Sequence, residues 1–305
     1  MTTLPHVPLS SRQRFALALL HALGGTVGNL DFQKLLFLRC QEDGASAPYE
    51  FVPYLYGAFS FTSYADRRKL VERGLLRDEV DHWQLTPEGR DVVKSAGTDG
   101  DRQLTFAREH RDLRGDRLVA ETYRRFPYYA TKSMIATRVL HGDQATLDKI
   151  DAARSGAQAS GILTIGYEGH SLERYLNQLI TNGVTILCDV RRNAISRKYG
   201  FSLRTLANAC DGVGVRYEHL PALGIASDRR QNLASQADYD ALFRDYERRH
   251  LPTQSESLDS IGGCVQRNAC VALTCYEHLP KQCHRHCVAE ALEEKFGKHF
   301  APKHL

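Results

Sequence analysis

Four polar segments in the second half of the chain carry residue types that can do chemistry. They follow apolar runs at residues 162–166, 184–190, 215–220 and 270–276. Three carboxylates and a thiol in these segments could act as acid, base or nucleophile, and they are Glu168, Asp189, Glu277 and Cys283. Other side chains there could bind a substrate, and they are Tyr167, Arg191, Arg192, Ser196, Arg197, His284 and Arg285. The arginines suit an anionic substrate, because a guanidinium group matches the oxygens of a phosphate.

The apolar runs alternate with segments of helical periodicity. Helices are predicted at residues 172–181, 203–210, 239–249, 257–267 and 284–296. This alternation is typical of the α/β class, in which helices cover both faces of a parallel, Rossmann-like sheet. Ligands of such sheets bind at the carboxyl ends of the strands. We therefore expect the four polar segments to meet at one edge of the sheet and to form an active or ligand-binding site.

Two of the candidate catalytic residues have alternative interpretations. Asp189 could be the structural ion-pair partner of a neighbouring arginine. Cys283 is predicted to open the last helix, where the helix N-terminus would lower the pKa of a thiol, so a cysteine nucleophile is a second hypothesis. The usual C-x5-R phosphate loop is missing, because Lys281 and Ala289 occupy the positions where its arginine would stand.

Neither a metal nor a cofactor is predicted. A zinc site is suggested by four ligand types close in sequence, Cys283, His284, His286 and Cys287. Their spacing lacks a second ligand pair, and consecutive residues of a helix point in different directions. The chain contains neither G-x-G-x-x-G nor a Walker A sequence, so a dinucleotide or ATP site of the usual kind is not expected.

Residues 1–95 show the pattern of a mainly helical winged helix-turn-helix domain. Helices are predicted at residues 12–23, 32–40 and 63–73, and residues 75–86 alternate like a small hairpin. The third helix would present Arg67, Arg68 and Lys69 to DNA. The alternative is that the domain docks another protein and that these charges face water.

Residues 96–160 are predicted to be an arginine-rich helical connector to an α/β domain at residues 161–305. The polar stretches 95–102 and 142–160 are predicted linkers. Arginines 108, 111, 114 and 117 recur every three residues, which would place them near one face of a helix. The candidate nucleic-acid-binding residues of the connector are Arg108, Arg111, Arg114, Arg124, Arg125, Tyr128 and Tyr129. An ion-paired surface and packing of the two tyrosines are the alternatives.

Length and composition exclude several classes of protein. The chain has 305 residues, 25% of them charged, with a formal net charge of +4, which excludes a disordered polycation. The sequence does not begin with a basic segment followed by an apolar one, and no apolar stretch approaches the ~20 residues that span a bilayer. We therefore expect a cytoplasmic protein without a membrane partner, whose eight cysteines are reduced and mostly act as small buried hydrophobes.

The polar segments also resemble a known family. The similarity to the bacterial domain-of-unknown-function family 488 covers about residues 161–297 and is carried by four motifs: TIGYEGHS, DVRRNAISRKYGFS, YEHLPALGIASDRR and LTCYEHLPKQCHRHCVAEAL. The resemblance implies an α/β fold and a site built from these motifs. The front half resembles the winged-helix extension of some members through FQKLLFL, YEFVPYLYGAFSF and FPYYA. This arrangement is similar to that of DNA repair and phage-defence proteins.

These features favour a DNA-binding enzyme that hydrolyses the N-glycosidic bond of a modified or damaged base. Glu277 or Asp189 would stabilise the oxocarbenium-like sugar or activate water. Tyr167 could stack on an extruded base. The alternative hypotheses are a cysteine-nucleophile enzyme that acts on a phosphorylated substrate, and a ligand-sensing transcription regulator without catalysis.

Overall fold

The computed structural model describes residues 8–96, 100–154, 160–231 and 233–305. Contacts within the chain divide it into two units, Met1–Arg154 and Ser155–Leu305. The two predicted linkers extend beyond the described residues, at positions 97–99 and 155–159. Within the second predicted linker, at residues 142–160, residues 144–152 form a helix whose first turn is capped by Asp143.

The first unit is mainly helical, as predicted. Its helices are α1 (Ser11–Ala22), α2 (Asn29–Asp43), α3 (Phe61–Glu72), α4 (Pro87–Ala96), α5 (Gly100–Glu109), α6 (Gly115–Arg125), α7 (Ala136–Val139) and α8 (Gln144–Ala152). Among the described residues of this unit, four short strands form two antiparallel pairs. The pairs are β1 (Thr26–Gly28) with β4 (His82–Gln84), and β2 (Val52–Tyr54) with β3 (Gly57–Phe59).

Local sequence explains how the first two helices are placed. The Ser10 hydroxyl accepts a hydrogen bond from the Gln13 backbone N–H at 3.2 Å, and the Gln13 side chain accepts one from Ser10 N–H at 3.1 Å. This reciprocal capping box begins α1. Phe32 of α2 stacks on Trp83 of β4 with ring centroids 4.3 Å apart, and both rings are buried. The aromatic pair therefore holds the β1–β4 pair against α2.

The arginine-rich stretch of the connector does not form one continuous helix. Helix α5 ends at Glu109 and α6 begins at Gly115. Gly115 has a φ of +56°, a left-handed conformation that interrupts a helix and favours glycine. Its backbone N–H donates a hydrogen bond to Asp31 at 2.9 Å. The prediction that arginines 108–117 share one helical face is therefore wrong.

The second unit has the predicted α/β fold. Its helices are α9 (Leu172–Thr181), α10 (Leu203–Gly212), α11 (Gln236–Asp245), α12 (Ser255–Gln266) and α13 (Arg285–Phe296). The strands are β5 (Gly161–Gly166), β6 (Ile186–Asp189), β7 (Arg216–His219), β8 (Cys270–Cys275) and β9 (Lys303–His304). In the described part of the unit they form one parallel sheet in the order β7-β6-β8-β5-β9. Strand β9 has only two residues, too few for a sequence pattern to indicate it.

Strand β8 lies at the centre of this sheet. It pairs with β5 on one side and β6 on the other, and each of its six residues is buried. A strand covered on both faces needs apolar side chains at successive positions, which is the continuous pattern that predicted it. The edge strand β7 is more exposed, since only one neighbour pairs with it.

The cysteines behave as the sequence predicted. All eight are free thiols and all are buried. Among the described residues, no helix combines the length and the apolar character needed to cross a lipid bilayer.

Lys34 is a charged residue in the core of the first unit. It lies on α2 with 1% of its surface exposed, and its Nζ donates a hydrogen bond to the Ala58 carbonyl at 2.8 Å. Burial lowers the pKa of Lys34 to about 7. The lysine is thus held in a position where the protonated form is disfavoured.

We expect Lys34→Met to flatten the pH dependence of stability. The unfolded lysine has a pKa near 10.5 and the folded one about 7, so between these values the unfolded chain binds more protons. The free energy of unfolding therefore rises with pH across that window, by up to ~1.4 kcal/mol per pH unit. Urea unfolding at several pH values measures this slope. Lys149→Met is the control, because Lys149 is exposed on α8, and this variant should keep the slope. Equal slopes in Lys34→Met and the unmodified protein would contradict the lowered pKa of Lys34.

Candidate functional site

The carboxyl ends of β5, β6, β7 and β8 lie along one edge of the sheet, which we call the carboxyl edge. Gly166 at the end of β5 lies opposite Cys275 of β8. Asp189 at the end of β6 lies opposite Thr274 and His219. The predicted site residues of the second unit occupy these strand ends and the segments that follow them.

Asp189 forms a buried ion pair at this edge. Its carboxylate accepts hydrogen bonds from Arg191 Nε at 2.8 Å and Nη2 at 2.5 Å, and from the Tyr217 hydroxyl at 2.6 Å. Arg191 Nη1 also donates to the Tyr167 hydroxyl at 2.8 Å and to the Phe201 carbonyl at 2.9 Å. Asp189 is 0% exposed and Arg191 is 5% exposed. Both charges are therefore satisfied within the protein. This arrangement agrees with the alternative interpretation of Asp189 as the structural ion-pair partner of a neighbouring arginine.

Tyr167 is packed into the protein. Its ring stacks on Phe201 with centroids 4.4 Å apart and planes 9° apart. Tyr276 lies edge-on to Tyr167 at 5.3 Å, and 44% of its surface is exposed. Tyr276 is therefore the more accessible of the two rings.

Glu277 has an environment unlike that of the other two carboxylates. Glu168 is exposed, and its Oε2 accepts a hydrogen bond from the His278 backbone N–H at 2.9 Å. The Glu277 side chain is 12% exposed. Its Oε1 accepts a hydrogen bond from Arg230, and its Oε2 lies 3.5 Å from Cys275 Sγ. Burial raises the pKa of Glu277 to about 7, and the Arg230 guanidinium acts in the opposite direction.

Two contacts hold the backbone of the Glu277 segment. Arg285 is fully buried and donates from Nη1 to the Glu277 carbonyl at 2.5 Å and from Nη2 to the His278 carbonyl at 2.8 Å. Gly166 allows a close approach, because a Cβ atom at this position would lie 1.9 Å from the Glu277 carbonyl oxygen. Arg285 therefore positions the segment, and its two terminal nitrogens are engaged by backbone carbonyls.

Three side chains that can ligate a metal meet next to Glu277. Cys275 Sγ, Cys283 Sγ and a ring nitrogen of His284 all lie within 4.8 Å of one another, and all three residues are buried. His284 Nδ1 is 3.8 Å from Cys275 Sγ. His284 Nε2 lies 2.9 Å from the Val190 carbonyl, and a carbonyl can only accept, so Nε2 carries the proton and Nδ1 is free to accept. We call Cys275, Cys283 and His284 the thiol–histidine cluster.

The structure corrects the expected chemistry of Cys283. Helix α13 begins at Arg285 with His284 as its N-cap, so Cys283 lies before the helix. Burial raises the pKa of Cys283 to about 12, and its hydrogen bond with Cys275 acts in the same direction. The expected lowering of the thiol pKa is therefore wrong, because Cys283 is only 1% exposed.

The ligand types considered for zinc from the sequence are separated in space. His286 and Cys287 lie near Glu247 and form a second group of possible ligands. The thiol–histidine cluster instead takes Cys275 from the end of β8. Sequence spacing could not show this neighbour, since it depends on how the strand end meets the segment before α13.

The remaining substrate-binding candidates of the second unit lie nearer the solvent. Arg192 and Arg197 are exposed, and Arg192 Nη1 lies 3.4 Å from the Pro221 carbonyl. The half-buried Ser196 accepts a hydrogen bond from the Lys198 backbone N–H at 3.1 Å. Arg192 and Arg197 are thus the predicted arginines of the carboxyl edge that face water.

In the first unit, the predicted DNA-contacting residues lie on α3. Arg68 and Lys69 are exposed. Arg67 is half-buried and donates hydrogen bonds to the carbonyls of Glu79 and His82. Arg67 therefore holds the segment that precedes β4, whereas Arg68 and Lys69 face water.

The connector arginines differ in what they contact. Arg108, Arg111 and Arg125 are exposed. The Arg125 guanidinium lies over the Phe126 ring, 5.4 Å from its centroid. Arg114 donates to the carbonyls of His110 and Leu113, both at 2.7 Å. Arg124 forms an ion pair with Asp143 at 2.8 Å. Three of the five candidates, Arg114, Arg124 and Arg125, therefore have contacts within the first unit.

Tyr128 and Tyr129 are half-buried in the first unit. Tyr129 packs edge-on against Phe37 with ring centroids 4.7 Å apart, and Tyr128 packs edge-on against Tyr129 at 5.2 Å. Packing therefore accounts for the position of Tyr129.

Four residues that build the carboxyl edge were given no role in the site from the sequence. They are Tyr217, Arg230, Cys275 and Tyr276. Each lies within one of the four motifs quoted from the sequence, so a signal existed. The motifs lacked the strand register, which brings Tyr217 to Asp189, and the course of the loops after the strands, which brings Arg230 to Glu277.

We expect Gly166→Ala to destabilise the carboxyl edge. The added methyl group would overlap the Glu277 carbonyl, and overpacking of a well-packed site costs about 1–3 kcal/mol. Urea unfolding measures the loss. Gly161→Ala is the matched control on the same strand, because a Cβ there meets nothing within 4 Å. Equal losses of stability in the two variants would show that the close approach is unimportant.

Comparisons with known proteins concern the second unit. A search of curated proteins found no match to the chain. A family model does match, from the residue before α9 to Leu292 within α13. The matched part contains Asp189, Arg230, Glu277 and the thiol–histidine cluster, and it supports the resemblance noted in the sequence. Residues 171–292 match the model of the family described as Domain of unknown function DUF488.

Proposed function

We propose that the protein is a DNA-acting hydrolase that cleaves the N-glycosidic bond of a modified or damaged base, with Glu277 as its catalytic carboxylate. The observation that carries the proposal is the position of Glu277. It is a largely buried carboxylate at the carboxyl edge, paired with Arg230 and next to the exposed ring of Tyr276. Parallel α/β sheets place their reacting groups at this edge.

Contacts favour Glu277 over the other two carboxylates. Asp189 has its oxygens occupied by Arg191 and Tyr217 and has no exposed surface. Glu168 is exposed, so water would weaken its electrostatic effect on a charged sugar. Glu277 is shielded from bulk water but not closed off from it, and an electrostatic interaction is stronger in such a place.

The proposed reaction is a hydrolysis. The oxygen of a water molecule bonds to C1′ of the sugar, and the bond between C1′ and the base nitrogen breaks. Glu277 stabilises the positive charge that develops on the sugar and accepts the proton of the water, which ends on the departing base. Tyr276 stacks on the extruded base, and Arg192 and Arg197 bind phosphates of the strand.

The first unit would hold the DNA. Its three helices α1, α2 and α3 and the β1–β4 pair fit a winged helix-turn-helix, with α3 as the helix that contacts DNA. Arg68 and Lys69 are exposed on α3 and carry the positive charge that phosphates attract. The connector arginines Arg108, Arg111 and Arg125 add further exposed charge.

We expect Glu277→Gln to abolish most base release. Glutamine keeps the shape of the side chain and removes its charge, so the rate should fall by about 10²- to 10⁴-fold, the range for loss of an acid–base group. The assay incubates duplexes that carry a panel of modified bases, followed by alkaline cleavage of abasic sites. Glu256→Gln is the control, since Glu256 is an exposed carboxylate on α12.

Two outcomes of this assay would reject the proposal. The unmodified protein could release no base from any duplex of the panel, or Glu277→Gln could cleave as fast as the control. Tight binding to one short DNA sequence without base release would instead favour a transcription regulator.

We expect the double change Arg68→Ala with Lys69→Ala to weaken DNA binding. Two phosphate contacts would be lost, so the slope of log affinity against log salt should become shallower by about 2. Fluorescence anisotropy at several salt concentrations measures this slope. Arg248→Ala with Arg249→Ala removes an adjacent exposed pair from the second unit and is the control. An unchanged slope in the α3 variant would exclude α3 as the DNA-contacting helix.

A further inference from the structure

We propose that the thiol–histidine cluster is a zinc site, in which Cys275 Sγ, Cys283 Sγ and His284 Nδ1 bind one Zn²⁺ and Glu277 lies next to the fourth coordination position. The inference goes beyond the proposed function, and it holds whether or not the protein cleaves a glycosidic bond. It starts from three buried side chains whose ligand atoms lie within 4.8 Å of one another.

The distance between the Cys275 and His284 ligand atoms fits tetrahedral zinc. Zinc bonds to sulfur are about 2.3 Å long and bonds to histidine nitrogen about 2.0–2.1 Å, which puts a sulfur and a nitrogen ligand about 3.6 Å apart at tetrahedral angles. The Cys275 Sγ to His284 Nδ1 distance is 3.8 Å. An ion can therefore be accommodated between these atoms with shifts of a few tenths of an ångström.

The surroundings orient the histidine as a ligand. His284 Nε2 donates to the Val190 carbonyl at 2.9 Å, so Nδ1 presents its lone pair. A backbone carbonyl on the second ring nitrogen is a common partner of a metal-binding histidine, because it fixes the tautomer and the ring. The Tyr246 ring packs edge-on against His284 at 5.9 Å. Tyr246 itself is anchored to the Leu223 carbonyl at 2.5 Å.

Charge balance also suits a divalent cation. Two thiolates neutralise Zn²⁺, and Arg230 neutralises Glu277, so zinc binding adds no net charge to the cluster. Binding converts two thiols to thiolates and releases two protons to solvent, so about two protons are released for each zinc bound. Thiolate and imidazole ligands select zinc over magnesium or calcium, which prefer oxygen.

The fourth position lies towards Glu277. The Glu277 Oε2 atom is 3.5 Å from Cys275 Sγ. The Glu277 side chain is 12% exposed, which is more than the buried cluster and less than the Arg230 side chain, which is 31% exposed. Three protein ligands with an open fourth position are typical of catalytic zinc, whereas structural zinc has four protein ligands. A water in that position would lie beside a carboxylate that can accept its proton.

The test is metal binding by the full chain. Chelator-treated protein is titrated with Co²⁺ and Zn²⁺, and absorbance records thiolate-to-cobalt charge transfer and tetrahedral coordination. We expect one metal per chain. Cys275→Ser and Cys283→Ser should each lower the metal affinity by more than ~100-fold. A loss of this size exceeds the cost of removing a residue that only contacts a metal ligand.

Cys287→Ser is the matched control and should bind normally. Cys287 is buried close by in sequence, but it belongs to the separate group with Glu247 and His286. Loss of metal in Cys287→Ser with retention in Cys275→Ser would overturn the proposal and move the site to that group.

A serine in the core can unfold the chain, so a second measurement uses the unmodified protein. X-ray absorption of the zinc-loaded chain should show two sulfur neighbours at about 2.3 Å and nitrogen or oxygen neighbours at about 2.0–2.1 Å. A shell without sulfur, or no stoichiometric binding, would reject the site. Neither measurement uses DNA. A failure of the zinc proposal can therefore be distinguished from a failure of the proposed glycosidase activity.

Discussion

The position of strand β8 between β5 and β6 is the constraint on which the carboxyl edge depends. Parallel pairing in register brings Gly166, Asp189 and Cys275 to the same edge. The absence of a side chain at Gly166 then lets the segment after β8 cross the end of β5. Arg285 is buried in α13 and holds the same segment by its carbonyls. Glu277 is therefore placed by backbone contacts that do not involve its own carboxylate.

The carboxyl edge separates charges that support the structure from charges that are open to chemistry. Asp189 and Arg191 satisfy each other and tie β6 to Tyr217 and Tyr167, so removing either partner would leave a buried charge uncompensated, at a cost of about 3–5 kcal/mol. Glu277 and Arg230 also pair, but both keep some exposed surface. A ligand can compete for the second pair and cannot reach the first. This difference, rather than the type of residue, distinguishes the candidate catalytic group from the structural one.

Continuous apolar runs were sufficient to predict β5, β6 and β8 and their parallel class, because a strand buried on both faces has few alternatives. The edge strand β7 was predicted as well, although its residues are exposed or half-buried. Strand β9 was missed because two residues carry no pattern. The break at Gly115 was missed because arginine spacing describes a helix only where the backbone continues one. The expectation that the polar segments meet at one edge of the sheet is met by the parallel register of the strands. The pairing of Glu277 with Arg230 and of Cys275 with His284 depends on how the segments after the strands fold back on the sheet, and residue spacing does not contain it.

The central claim is that the reacting sugar binds beside Glu277 at the carboxyl edge. A crystal structure of the chain with a duplex that carries an oxocarbenium-mimicking abasic sugar tests it most directly. We predict that the sugar ring lies within hydrogen-bond distance of the Glu277 carboxylate, with a base or its analogue against Tyr276. A sugar bound elsewhere, with the Glu277–Arg230 pair unchanged and uncontacted, would contradict the account.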